Sequence, residues 1–332
     1  MGGQHFSSMW TQFFPPKPTF TEENVPDLTN KVYLVTGANT GVGKQLARLL
    51  YSKNAKVYVA ARSEAKANEA IQDIEKIHPS SSGALIFLHI DLNDLSSVKA
   101  SAERFLSIET RLHILFNNAG VQNLNKGANT AQGYEHHLGI NTIAPFLFTK
   151  LLTPILARTA RAEVSTPGSV RVVWVSSLGT ELSGMKSVGL DINNLDYHDD
   201  ASDLMKYALS KVGNWLHGVE YAKRHKADGI ISIPLNPGNL TSDLYRETKE
   251  LSLKIAIKLT GHPAVEGAYT ELYAGLSPDI TIEKTGSWVI PFGRIAKIRK
   301  DLQEAARSTA EGGNGNAAKF WDWTEEQVKQ YI

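Results

Sequence analysis

An α/β fold is predicted, built on one doubly wound parallel sheet of about seven strands with helices on both faces. Three observations predict it. Short segments apolar on both faces recur along the chain, as strands buried between two helical layers must be. Helical patterns separate consecutive strands, which is the spacing of βαβ units rather than of hairpins. A glycine-rich turn joins the first strand to the first helix.

Residues 1–30 are an N-terminal arm in which Trp10, Phe13, Phe14 and Phe20 flank Pro15-Pro16-Lys17-Pro18. The aromatics are expected to dock on the domain; an anchor touching a membrane or partner is the alternative. A single domain spans 31–295. Its strands are read at Val32–Val35, Lys56–Ala60, Leu85–Ile90, His113–Phe116, Val170–Val175, Ile230–Leu235 and Trp288–Ile290. Helices follow the first strand to about Lys53 and the second to about Lys76, then lie near 94–108, 134–157, 203–226 and 264–276. The loop-like stretch Gly179–Asp203 breaks the rhythm, and a loop of that length inside a compact domain is usually functional. A tail, 296–332, is expected to pack on the domain. In it Gly312-Gly313-Asn314-Gly315-Asn316 reads as a flexible joint. Thr324-Glu325-Glu326-Gln327 reads as a capping box opening a short last helix, and Trp321 and Trp323 read as packing residues.

Composition excludes several classes of function. With 35 Lys plus Arg against 34 Asp plus Glu the net charge is +1, so no bulk attraction to nucleic acid is expected. The absence of cysteine removes disulfides, thiolate catalysis and thiolate metal sites. The ten histidines show no metal-ligand spacing, so no metal is expected. No apolar run reaches transmembrane length, no signal-peptide pattern opens the chain, and position 6 lacks the hydroxyl that myristoylation needs. A cytoplasmic protein is the expectation.

The glycine turn, Thr36-Gly37-Ala38-Asn39-Thr40-Gly41-Val42-Gly43, sits where a Rossmann-type nucleotide fold places its phosphate cradle. Its glycines permit a pyrophosphate to approach backbone N–H groups at a helix N-terminus. At the end of the second strand an acidic residue would bond a ribose and repel a 2′-phosphate. This chain has Ala61 and Arg62 instead, which favours NADP(H) over NAD(H). Asp91-Leu92 after the third strand is placed to meet the adenine edge. Asn117-Asn118-Ala119-Gly120 after the fourth is placed to line the cofactor cleft.

Tyr207 and Lys211 stand four apart, on one helix face. A nearby ammonium favours the phenolate, and each unit of depression from the phenol's ordinary value near ~10 needs about 1.4 kcal/mol of that preference. The result is a phenol able to exchange protons with an alcohol or carbonyl at neutral pH. Chance alone predicts ~0.7 such pairs in a chain of this composition. A second pair exists, Tyr245 with Lys249, but only the first follows a strand ending in serines, Ser176-Ser177. Either serine could bond the substrate oxygen, and strand alternation lets only one face the cleft. Pro145 has no N–H, so the carbonyl of Asn141 loses its helical partner and could hold a water relaying protons to Lys211.

Together these residues resemble the short-chain dehydrogenase/reductase family over roughly 31–290, through the glycine loop, the Asn117–Gly120 turn and the Tyr207/Lys211 pair. The resemblance implies a catalytic tetrad of Asn141, Ser177, Tyr207 and Lys211, with Ser177 chosen because the family uses the second serine of the pair. It implies a nicotinamide contact at Pro237 and Gly238, followed by Ser242 where relatives carry threonine. The Gly189–Leu195 stretch and Trp321-Asp322-Trp323-Thr324-Glu325 are similar to a retinol-dehydrogenase-like branch. The arm and Val25–Thr29 are similar to filamentous-fungal members, many of secondary metabolism. The expected function is an NADP(H)-dependent oxidoreductase on a hydrophobic small molecule, with 179–206 and 243–262 as lids. A homodimer or homotetramer through the helices of Asn141 and Tyr207 is implied, unless arm or tail blocks it. An NADP(H)-binding sensor without turnover, or a non-redox isomerase or cyclase, is the alternative.

Overall fold

The protein is described here by a computed structural model, which describes residues 9–122, 127–241 and 261–332. In chain order the strands are β1 (Val32–Thr36), β2 (Lys56–Ala61), β3 (Ala84–His89), β4 (Ile114–Asn117), β5 (Arg171–Val175), β6 (Ile231–Leu235), β7 (Leu240–Thr241), β8 (His262–Pro263), β9 (Trp288–Ile290) and β10 (Arg294–Ala296). The helices that matter here are α1 (Gly41–Tyr51), α2 (Glu64–Ile77), α3 (Leu95–Ile108), α4 (Ala144–Ala162), α5 (Gly179–Ser183), α6 (Asp203–His225), α7 (Ala264–Leu276), α8 (Lys300–Ala306) and α9 (Asn316–Val328).

The main sheet runs β10-β9-β6-β5-β4-β1-β2-β3. Pairing is parallel throughout except for β10, which lies antiparallel on β9. Among the described residues the sheet has eight strands, the expected seven and one more at the edge. The extra strand is a three-residue edge whose local sequence, Arg294-Ile295-Ala296, is too short to carry a strand period. Strand order reverses between β1 and β4, so a crevice opens at their carboxyl ends. Every residue of β1, β5 and β6 is buried, and alternate side chains feed two cores. Leu34, Tyr58, Leu115 and Val172 face the α3, α4 and α6 layer. Val35, Val57, Phe116 and Val173 face the α1 and α7 layer. Each such side chain contributes about 1.5–3 kcal/mol by leaving water, and the few polar strand residues, such as Arg171 and Ser232, are buried with hydrogen-bond partners.

α6 begins on Ser202, whose hydroxyl accepts from the Met205 N–H, and its last turn carries Lys223, Arg224 and His225 against the negative dipole end. α4 is entered through the short helical turn His136–Leu138 and a wide π-turn, Gly139–Ile143, closed by the Ala144 N–H on the Gly139 carbonyl. Among the described residues one helix, the joined His136–Ala162, is long and apolar enough by length and composition to cross a bilayer, but 78 % of its apolar window is buried inside the fold, so no transmembrane segment is indicated. Its apolarity serves the core.

The tail departs from expectation in two places. Thr324 opens no helix; it lies inside α9, donating to the Phe320 carbonyl and bonding His217 Nε2 at 3.0 Å. The Gly312–Asn316 segment is a bonded turn, with φ of 77° at Gly312 and 69° at Gly315. The Gly315 N–H reaches the Arg307 carbonyl, and Asn316 Nδ2 holds the carbonyls of Val188 and Leu190. Local sequence suggested a hinge, and long-range bonds made it a clasp. Trp321 packs edge-on to Phe146 with centroids 4.7 Å apart, and Phe320 stacks on His217 at the same separation. Burial among these rings pulls His217 down to about 3, so it stays neutral.

Candidate active site

The glycine turn folds back through positive φ of 68° at Gly37 and 55° at Gly41. A Cβ on Gly43 would lie 2.5 Å from Asn118 Nδ2 and 2.6 Å from the Gly37 carbonyl oxygen, so only glycine lets α1 start this close to the β4 exit. Thr36 Oγ1 donates to the Phe116 carbonyl at 3.2 Å and accepts from the Ala119 N–H at 3.0 Å. Asn118 Nδ2 donates to the Thr36 carbonyl at 2.7 Å. Asn39 lies in this turn, and Thr40 and Val42 flank Gly41 at the start of α1. The first-turn N–H groups of α1 open at the carboxyl edge of the sheet, an arrangement suited to an anion.

Other cofactor candidates line the same edge. Arg62 is exposed just beyond β2. Asp91 follows β3, with Oδ1 accepting from the Asn93 N–H at 3.0 Å, whereas the Leu92 side chain belongs to the core. Pro237 and Gly238 follow β6; Gly238, at φ 107°, donates its N–H to Asn236 Oδ1 at 3.0 Å. Ser242, most of the proposed lid 243–262 and the alternative pair Tyr245/Lys249 lie outside the described residues.

Two members of the expected tetrad, Lys211 and Asn141, meet against Gly120, and a third, Tyr207, lies beside Lys211. A Cβ there would lie 2.9 Å from Lys211 Nζ and 3.4 Å from Asn141 Oδ1, so glycine leaves room for both. Lys211 Nζ donates to the Val175 carbonyl at 3.0 Å and lies 6.0 Å from the Tyr207 ring centroid. Asn141 is wholly buried; its Nδ2 donates to the Val121 carbonyl and to Ser210 Oγ, each at 3.0 Å, and its Oδ1 accepts from the Val121 N–H at 2.8 Å. Its side chain thereby clips the β4 exit to α6. The two serines part company. Ser176 is buried, bonded to Thr180 Oγ1 at 2.7 Å and to the Lys211 carbonyl at 2.6 Å. Ser177 is half-buried, and its Oγ accepts from the Gly179 N–H at 2.9 Å.

Burial pulls the Lys211 ammonium down to about 8, opposed by the nearby Glu271 carboxyl. Sequence reasoning missed Glu271. It is wholly buried on α7, and neither carboxylate oxygen has a hydrogen-bond partner among the described residues. Burial pushes it up to about 8, with Lys211 opposing. Its signal was present: Glu271 interrupts the buried stripe Gly267, Ala268, Leu272, Ala274 and Gly275. Also missed was the pair Glu135 and His137. Glu135 accepts from the Leu138 N–H and lies 2.8 Å from His137 Nδ1, and the imidazole ring meets the Tyr207 ring edge-on at 6.1 Å. A pocket of about 340 Å³ adjoins this pair, lined by Tyr134, His136, Tyr197, Lys206 and Trp323. Among the described residues no cluster of side chains could hold a metal.

Comparison with known proteins establishes the family. The family model described as short chain dehydrogenase covers residues 31–186. The chain is 56 % identical, over 100 % of its own length and 96 % of the relative's, to the short-chain dehydrogenase/reductase bet4 of Neocamarosporium betae. It is equally 56 % identical to a short-chain dehydrogenase/reductase of Phomopsis amygdali, covering 97 % of each chain. Among solved structures it shares its fold with NADPH-bound carbonyl reductase from chicken fatty liver (TM-score 0.56, 21 % identity, 79 % of this chain and 96 % of that one). It also shares it with the 3-ketoacyl-(acyl-carrier-protein) reductase of Brucella melitensis complexed with NADH (TM-score 0.60, 21 % identity, 80 % and 98 %). With relatives this close along the whole chain, the protein belongs to the short-chain dehydrogenase/reductase family and is an oxidoreductase.

Proposed function

We propose that the protein is an NADP(H)-dependent oxidoreductase interconverting a carbonyl and an alcohol on a hydrophobic small molecule, chiefly in the reducing direction. The observation that carries this reading is the meeting of Lys211 and Asn141 at Gly120, with Tyr207 beside Lys211 at the switch point of the sheet. In this reading the Tyr207 hydroxyl gives its proton to the substrate oxygen and Ser177 Oγ holds that oxygen. Lys211, drawn to about 8 yet still mostly charged at pH 7, favours the phenolate that remains and bonds the nicotinamide ribose. The Asn141 carbonyl orders a water that restores the proton through Lys211. A bound nicotinamide supplies the hydride. Arg62 pairs the 2′-phosphate, Ser242 takes the nicotinamide carboxamide, and the exposed apolar residues Leu182, Met185 and Leu204 of the 179–206 segment favour a hydrophobic substrate. A place near the retinol-dehydrogenase-like branch and in secondary metabolism belongs to the same proposal.

Fluorescence titration with NADPH and with NADH tests the cofactor, and Tyr207→Phe tests the chemistry. Tighter binding of NADPH, and a Tyr207→Phe variant that binds cofactor without turnover, are expected. A preference for NADH sinks the role of Arg62, and undiminished turnover in Tyr207→Phe sinks the mechanism.

A further inference from the structure

Phe20, Val25 and Leu28 seat the later part of the arm in the core, but its first described turn enters the domain through one polar side chain. Residues 9–13 are helical, and the helix is inverted relative to a docking helix: Trp10 and Phe14 face outward, 59 % and 52 % exposed, while Gln12 is 1 % exposed. Aromatic burial therefore does not explain why this turn is seated where it is. The amide of Gln12 does. Its Nε2 donates to Glu181 Oε1 at 2.8 Å, and its Oε1 accepts from Asn236 Nδ2 at 3.0 Å.

Both partners lead to residues of the candidate active site. Glu181 sits on α5, also receives the Trp288 Nε1–H at 2.9 Å, and follows the turn in which the Gly179 N–H orients Ser177 Oγ. Asn236 turns its other side-chain atom, Oδ1, to the Gly238 N–H at 3.0 Å and so shapes the Pro237-Gly238 turn. One amide thus bridges the segment that presents the serine and the turn after β6. Asn236 and Glu181 are themselves 1 % and 3 % exposed, so water is poorly placed to replace Gln12.

We infer that Gln12 is a positioning residue, by which the N-terminal arm holds Ser177 and the Pro237-Gly238 turn in register. The turnover part of this inference rests on the function proposed above; the structural part does not. Arg294 supplies a contrast, because it fastens the arm by donating to the Thr11 carbonyl at 2.8 Å and to the Pro291 carbonyl at 2.8 Å, without bonding Glu181 or Asn236.

The test compares the full-length parent, Gln12→Leu, Arg294→Met and Tyr207→Phe by native-state amide exchange. It also follows NADPH consumption with benzil as carbonyl probe. In Gln12→Leu, exchange at the Gly179 and Gly238 amides should quicken by about ten-fold or more, with β1 and β4 amides unchanged; Arg294→Met should leave both glycines protected. kcat should fall by about ten-fold in Gln12→Leu but not in Arg294→Met, with KM and the NADPH Kd within roughly two-fold of the parent. Unchanged exchange at both glycines in Gln12→Leu overturns the inference, whatever happens to turnover. Equal quickening in Arg294→Met also overturns it, because loosening the arm would then be enough. Turnover surviving in Tyr207→Phe overturns the proposed chemistry and leaves the exchange result standing.

Discussion

Replacing Glu271 with leucine should shift stability in the variant's favour, relative to the parent, as pH rises from 6 to 8. Burial pushes the carboxyl from 4.5 up to about 8, so the folded chain keeps a proton that the unfolded chain has released. Stability therefore falls as pH rises through that window, by about 1.4 kcal/mol per unit while the folded group stays protonated. Between pH 6 and pH 8, allowing for half-titration at the upper end, the loss is about 2 kcal/mol. Leucine is of similar volume and does not titrate, so this pH-dependent loss disappears in the variant. Lys211 works in the opposite sense. Its folded value of about 8 lies below its ordinary 10.5, so it adds stability as pH rises beyond about 8. Removing Glu271, which raises Lys211, moves that gain to lower pH and widens the difference from the parent. Urea unfolding of the cofactor-free protein at both pH values measures it. At a urea slope of about 3 kcal/mol per molar, the variant's midpoint advantage should grow by roughly 0.7 M from pH 6 to pH 8. A constant offset between the two pH values would show that Glu271 does not titrate in this range, and the reasoning would fail.

Three further outcomes are expected. Gly43→Ala places a methyl within 2.6 Å of the Gly37 carbonyl, so NADPH affinity measured by fluorescence should drop by about ten-fold or more; wild-type affinity would mean that the loop shifts freely. Trp321→Ala empties a core site between α9 and Phe146 and should cost about 3–5 kcal/mol in denaturant unfolding. It should also loosen the tail from α4 and α6, so sedimentation should find the parent monomeric and the variant self-associating. Glu163 is held down to about 2, chiefly by Lys31, whose Nζ lies 2.6 Å away. Its depressed value makes a stabilising contribution that is present above 4.5 and lost as pH falls towards about 2, so Glu163→Gln should flatten the acid limb of the stability profile.

The strands, the glycine turn and the Tyr207/Lys211 pair were legible in the sequence because their causes are local. A strand buried on both faces must be apolar throughout, as Val32–Val35 is, and a strand-to-helix phosphate turn needs its glycines within a few residues. Even Ser177 over Ser176 follows from alternation along one strand, once it is known which face meets the cleft; the structure buries Ser176 against Lys211 and Thr180. Residues whose meaning comes from across the chain were not legible. Thr324 has the spacing of a helix cap, yet His217, 107 positions away, sets its partner. Gly312 to Asn316 has the composition of a hinge, yet the carbonyls of Val188 and Leu190 make it a clasp. Gln12 reads as an ordinary polar residue of an arm, and Glu271 as an ordinary helix glutamate. Sequence alone determined the sheet, its glycine turn and the pairing of Tyr207 with Lys211, because these depend on periods and spacings of at most a few residues. Only the tertiary structure decided that Gln12 joins two segments and that Glu271 is buried near Lys211, because desolvation and long-range hydrogen bonds depend on what the fold brings alongside.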